Sequence, residues 1–171
     1  MRHLSTLSRT PEAILADLTS EEFLREFSEE IGVVLGGVTL STDGPQQRAV
    51  LEWTFNTDRS GIPEMARRFL PDQVRLTWNQ AWGPLREGAA EGSLSVVLTG
   101  RPAATVTGAS RLRSGEAADS SSLATETSTE ADLPFPVASR VERLIDRDLA
   151  GWILEIQARV LQRRAETSTP G

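Results

Sequence analysis

Acid–base and nucleophilic chemistry has little to work with in this chain. Its 171 residues include one histidine, His3, and no cysteine, tyrosine or lysine, so all 18 basic residues are arginines. Thiolate nucleophiles, cysteine zinc sites, disulfides, Schiff-base lysines and the lysine of a phosphate-binding loop are excluded by count. His3 could act as a general base, but a lone histidine near the start of a chain reads first as a strand surface residue, and no Ser/His/Asp triad can be built without it. Asp17, Glu21, Glu22, Glu29 and Glu30 form an acidic surface whose spacing fits no metal motif, so no metal and no cofactor is expected. Glu142 and Asp146, at i and i+4 of a helical pattern, could reach a pocket mouth or lie on a solvated face.

Apolar surface with one misplaced amide is what the sequence offers instead. Val74, Leu76, Trp78, Gln80 and Trp82 alternate with Gln73, Arg75, Thr77, Asn79 and Ala81, the pattern of a half-buried strand. Gln80 sits on the apolar parity, where its amide must find partners or orient a bound molecule, unless it meets water at a strand end. Leu51, Trp53 and Phe55 share a face of the preceding strand and, like Trp78 and Trp82, are either plain core or the wall of a cavity. Met65 and Phe69, at i and i+4 on a short helix, either pin that helix to a sheet or cover a cavity mouth. Val141, Ile145 and Trp152 recur on one face of the last helix and complete the candidate ligand contacts.

The elements that must position these side chains follow from caps and periods. Residues 2–8 read as a short strand, and Thr10-Pro11-Glu12 then supplies an N-cap, a proline and an acid for a first helix. Thr19-Ser20-Glu21-Glu22 predicts a capping box with Thr19 at the cap, opening a helix along Phe23, Leu24, Phe27 and Ile31 that Gly32 stops. Val33 to Leu40, bulged at Gly36-Gly37, and Ala49 to Asn56 predict a hairpin turned at Asp43-Gly44-Pro45. A two-turn helix over 63–70 precedes strands over 73–82, 92–99, 103–112 and 121–131, the last rich in Ser and Thr. After Leu133-Pro134-Phe135-Pro136, a closing helix of about 28 residues, roughly 42 Å long, carries Val137, Val141, Leu144, Ile145, Leu149, Trp152, Ile153, Ile156 and Val160 on one face.

Links of hairpin length, all but the one that holds the short helix, make the sheet antiparallel, and seven twisted strands curl so that one helix seals the concave side. The later strands offer Ser, Thr, Ala and Gly where a filled core would use Leu or Phe, which predicts a pocket between sheet and helix. Hydrophobic residues at 39% and charged residues at 25% are globular proportions, and the domain is expected over 1–164 with a flexible tail over 165–171. A formal charge of −6 argues against nucleic acid as a partner. The longest apolar runs, about six residues, fall far short of a membrane span, leaving only transient membrane contact. No export signal is recognisable at the start, so a cytoplasmic location is the expectation.

The order of elements, with a helix pair after the first strand and an amphipathic helix at the end, resembles the START-like helix-grip superfamily, also called SRPBCC. Within it, Ile62-Pro63-Glu64-Met65-Ala66-Arg67-Arg68-Phe69-Leu70 and Pro136-Val137-Ala138-Ser139-Arg140-Val141-Glu142 are similar to segments of an uncharacterised actinobacterial family. The resemblance implies an α+β helix-grip fold with a hydrophobic cavity between sheet and terminal helix, and it transfers no catalytic residue. The expected function is binding or carrying of a hydrophobic small molecule, lipid-, isoprenoid- or polyketide-like. The alternatives are a cyclase- or hydrolase-like enzyme using the same cavity, or an interaction module whose core is filled.

Overall fold

The computed structural model describes residues 1–57, 64–68, 70–100 and 103–168. Seven strands, β1 (Arg2–Leu7), β2 (Val34–Asp43), β3 (Gln46–Asn56), β4 (Gln73–Trp82), β5 (Ala89–Thr99), β6 (Ala104–Ser114) and β7 (Ser121–Ala131), form one antiparallel sheet. The order across it is β1-β7-β6-β5-β4-β3-β2, so every neighbour is consecutive in the chain except β1, which crosses to pair with β7. Helices α1 (Pro11–Leu18) and α2 (Glu21–Ile31) follow β1, and α3 (Glu64–Arg67) lies between β3 and β4. The chain closes with α4 (Val137–Leu144), a π turn over Ile145–Ala150 and α5 (Gly151–Ser168) on the concave face of the curved sheet.

Period-two alternation gives the sheet its two faces. Leu51, Trp53, Phe55, Leu76, Trp78, Leu94, Val96, Val106 and Leu112 are buried on the inner face, while Glu52, Arg75, Glu91 and Arg111 stand exposed on the outer one. Even the Ser- and Thr-rich β7 pairs along its whole length with β6. β2 carries the expected bulge, its register shifting between Leu35 and Gly37.

The cap of α2 falls one residue later than the sequence suggested. Thr19 Oγ1 donates to the Leu15 carbonyl at 2.9 Å and finishes α1, which leaves Ser20 to accept from Phe23 N at 3.3 Å. Gly32 ends α2 in the left-handed region at φ 83°. Asp17, read as surface acid, is buried and paired with Arg9, with Arg164 Nε at 3.3 Å from its other oxygen. Arg164 and Arg163 also bind Glu26 at 2.7 and 2.9 Å, fastening the end of α5 to α1 and α2. That helix runs past residue 164 to Ser168.

The closing helix is not uniformly α-helical. Val141, Ile145, Leu149 and Ile153 recur every fourth residue, and at 100° per residue each such step drifts about 40° around an α-helix. The π turn holds an extra residue, absorbs the drift and keeps all four buried. Val137, expected on the same face, is instead 51% exposed. Glu142 Oε1 accepts from Ala131 N, at the last residue of β7, so the turn before Glu142 has no strand beneath it.

Candidate functional site

β4 carries the candidate site because its inner positions bring large rings and one amide into a row. Pairing sets Leu51 beside Trp78, Trp53 beside Leu76 and Ala49 beside Gln80. On the other flank Trp82 pairs with Gly92, where an added Cβ would lie 2.8 Å from both the Trp82 ring and the Ala81 carbonyl oxygen. The absence of a side chain at Gly92 therefore lets the Trp82 indole rest directly on β5.

Gln80 finds its partner directly on the closing helix. Gln157 Nε2 on α5 donates to Gln80 Oε1 at 3.1 Å, and the two residues are 2% and 1% exposed. One hydrogen bond uses only part of the capacity of two amides. The indoles beside them differ sharply in how they are satisfied. Trp53 Nε1 donates to Ser28 Oγ at 2.9 Å, whereas the Nε1 groups of Trp78 and Trp82 are buried without a hydrogen-bond partner.

Toward β2 the interior is aromatic. Phe27 meets the edges of Trp53 and Trp78 at centroid distances of 5.4 and 5.7 Å, and Trp53 lies 5.5 Å from Trp78. Toward β1 it is polar and fine-grained. Ser110 and Thr125 share a buried hydrogen bond at 3.0 Å, and Thr127 and Thr129 donate to Asp146 Oδ1 on the π turn. His3 Nε2 lies 3.5 Å from Thr127 Oγ1, and its ring packs against Gly151, whose added Cβ would be 3.0 Å from His3 Cε1. Burial pushes the His3 imidazole below its ordinary value of 6.5, against the opposing pull of Asp146 and with the N-terminal ammonium adding to the depression.

Of the side chains singled out from sequence, Leu51, Trp53, Phe55, Leu76, Trp78, Gln80 and Trp82 share the inner face of β3 and β4. Val141 and Ile145 are buried at the sheet side of the closing helix, and Trp152 is half-buried against the core. The side chain of Met65 and all of Phe69 lie outside the described residues. Gln157 was missed, although it carries the same signal as Gln80: an amide on an apolar stripe, four residues after Ile153 and three before Val160. Thr127 and Thr129 had no such signal, since their inner face became definable only once β7 had a register.

A protein-family profile described as a protein of unknown function, DUF2505, matches residues 2–163. The chain belongs to that family. Among curated proteins none matches this family member. Its architecture is that of helix-grip proteins in solved structures. TTHA0849 from Thermus thermophilus aligns over 99% of each chain with a TM-score of 0.57 at 12% identity. Norcoclaurine synthase from Thalictrum flavum, solved with dopamine and hydroxybenzaldehyde, aligns over 100% of this chain and 88% of its own, with a TM-score of 0.55 at 11% identity. The hypothetical protein jhp0584 from Helicobacter pylori aligns over 95% and 85%, with a TM-score of 0.55 at 8% identity. At these identities the likeness is one of fold.

Proposed function

We propose that this DUF2505 protein binds an apolar small molecule between the inner face of β3–β4 and α5, as a carrier and not as a catalyst. The observation that carries this reading is the Gln80–Gln157 pair, two amides buried between sheet and helix and joined by one hydrogen bond, with hydrogen-bonding capacity to spare. An apolar pocket with a few convergent polar groups is the usual form of a small-molecule site. Amides and indoles do not ionise near neutral pH, which favours orientation of a ligand over general acid–base chemistry. That norcoclaurine synthase holds two small molecules supports the fold's capacity for such a role.

The inner side chains are covered by protein in the closed arrangement, so a ligand enters by parting the closing helix from the sheet. The π turn, against which α3 packs, is the irregular segment about which α4 and α5 would separate. Phe135, 84% exposed, and Val137 stand at the start of α4 and would meet a membrane surface from which cargo is collected. Among the described residues no helix is long and apolar enough to cross a membrane.

Native mass spectrometry of freshly purified protein tests the reading. The expected result is hydrophobic mass that leaves on unfolding, together with a tryptophan fluorescence change on adding oleic acid or farnesol to stripped protein. Bare protein whose fluorescence ignores both additions overturns it.

A further inference from the structure

We infer that the ligand is uncharged and brings carbonyl oxygens to Trp78, Gln80 and Trp82, so that its class is the apolar ketones, enones and quinones. This rests on the binding site proposed above and assigns its chemistry.

Trp78, Gln80 and Trp82 occupy successive inner positions of one strand, so their Cα atoms span about 13 Å. Indole is a donor only, and the Nε1 groups of Trp78 and Trp82 have no partner. The single bond from Gln157 Nε2 to Gln80 Oε1 leaves the Gln80 amide N–H groups and one on Gln157 to be added to those two indoles. The acceptors left are the Gln157 oxygen and the second lone pair of the Gln80 oxygen. The site is therefore rich in donors and poor in acceptors, and what completes it must accept without donating. A carbonyl oxygen has two lone pairs and no proton. A hydroxyl accepts too, but adds another donor. A carboxylate would bury a charge, and the buried residues among those described include no arginine to compensate it. Trp53 is the internal control: its indole, equally buried, is matched by Ser28 Oγ, so this sequence does satisfy a tryptophan where the protein supplies the acceptor.

The test uses one carbon skeleton with four polar endings: 1-indanone, 1-indanol, indane and indane-1-carboxylate, titrated into stripped, ¹⁵N-labelled protein. The tryptophan indole resonances are followed by NMR and assigned with the Trp78→Phe and Trp82→Phe variants. Indanone is expected to bind about tenfold tighter than indane, the gain of one to two net hydrogen bonds. It should shift the Trp78 or Trp82 Nε1–H resonance and leave that of Trp53 in place; indanol should rank next and the carboxylate last. In the two variants indane binding should persist and the advantage of the ketone shrink. Should a variant fail to fold, the wild-type series still decides. Indane binding as tightly as indanone, with both indole resonances unmoved, would overturn the ligand class and leave the binding site standing. Water alone on the two indoles, with none of the four compounds bound, would overturn the site as well.

Discussion

The two halves of the concave face solve the same packing problem in opposite ways. Under α2, the β2–β4 side is filled by ring volume: Phe23, Phe27, Trp53, Phe55 and Trp78 touch one another edge to face or offset, and each is 2% exposed or less. Under α4 and the π turn, the β5–β7 side uses Gly92, Gly108, Ser110, Thr125 and Thr127, with hydroxyls bonded to one another or to Asp146. One half is filled by aromatic rings, the other by aliphatic side chains such as Leu94, Val106 and Leu112 interspersed with small residues whose hydroxyls are matched by hydrogen bonds. Trp78, Gln80 and Trp82 lie on the seam, where neither device satisfies every polar atom. The binding site proposed at that seam would have aromatic rings on one side and smaller side chains on the other.

The largest effect expected from this contrast comes from Phe27→Ala. It removes the ring that joins the α2 cluster to Trp53 and Trp78 and should cost about 3–5 kcal/mol, read by urea denaturation. Ser110→Ala should cost about 1–2 kcal/mol because it strands the Thr125 hydroxyl, while Ser110→Ala with Thr125→Val should recover most of that loss. A Phe27→Ala cost no larger than that of Ser110→Ala would erase the distinction between the halves.

Gly92→Ala sharpens the contrast at its border. The new Cβ would meet the Ala81 carbonyl oxygen and the Trp82 ring at 2.8 Å, and since one of these is backbone the strain cannot be relieved by a rotamer change. A loss of about 1–3 kcal/mol is expected, together with a moved Trp82 indole resonance. An unchanged midpoint in urea would show that β5 can yield there, and that the Trp82 ring is not held down by its contact with Gly92.

Most of the frame was legible because the inner face is written in period two and the helix ends in caps. Even the weak β7 could be placed, since its Thr content suits a strand with one solvated face. Three features were not legible, each for a physical reason. Thr19 and Ser20 are both competent caps, and only the bond from Thr19 back to Leu15 decides between them. The π turn was hidden because Val141, Ile145, Leu149 and Ile153 look like an ordinary apolar stripe unless the fourfold recurrence is weighed against 3.6. In the site, Gln80 stood out as an amide among Leu and Trp, but that its partner is Gln157 depends on how α5 lies over the sheet, which no local pattern encodes.

The smallest effect is a pH dependence confined to the polar half. His3 faces Asp146 from the π turn, the N-terminal ammonium and Thr127 from β7, and burial lowers its pKa from 6.5. The folded protein thus takes up the proton less readily than the unfolded chain, so stability from this group is complete above 6.5 and lost as pH falls through the lower folded value. Glu26 behaves the same way in a separate window. Its burial opposes ionisation, but hydrogen bonds from Arg163 and Arg164 outweigh that and hold its pKa below 4.5, so its contribution is lost only in stronger acid. Melting temperatures taken from pH 7.5 down to 5 should therefore decline in the wild type and decline less in His3→Phe, while Glu26→Gln should alter the slope only below 4.5. If His3→Phe follows the wild-type curve throughout, the imidazole is not held by the hydroxyl side of the molecule at all, and the polar half rests on Asp146 and its threonines alone.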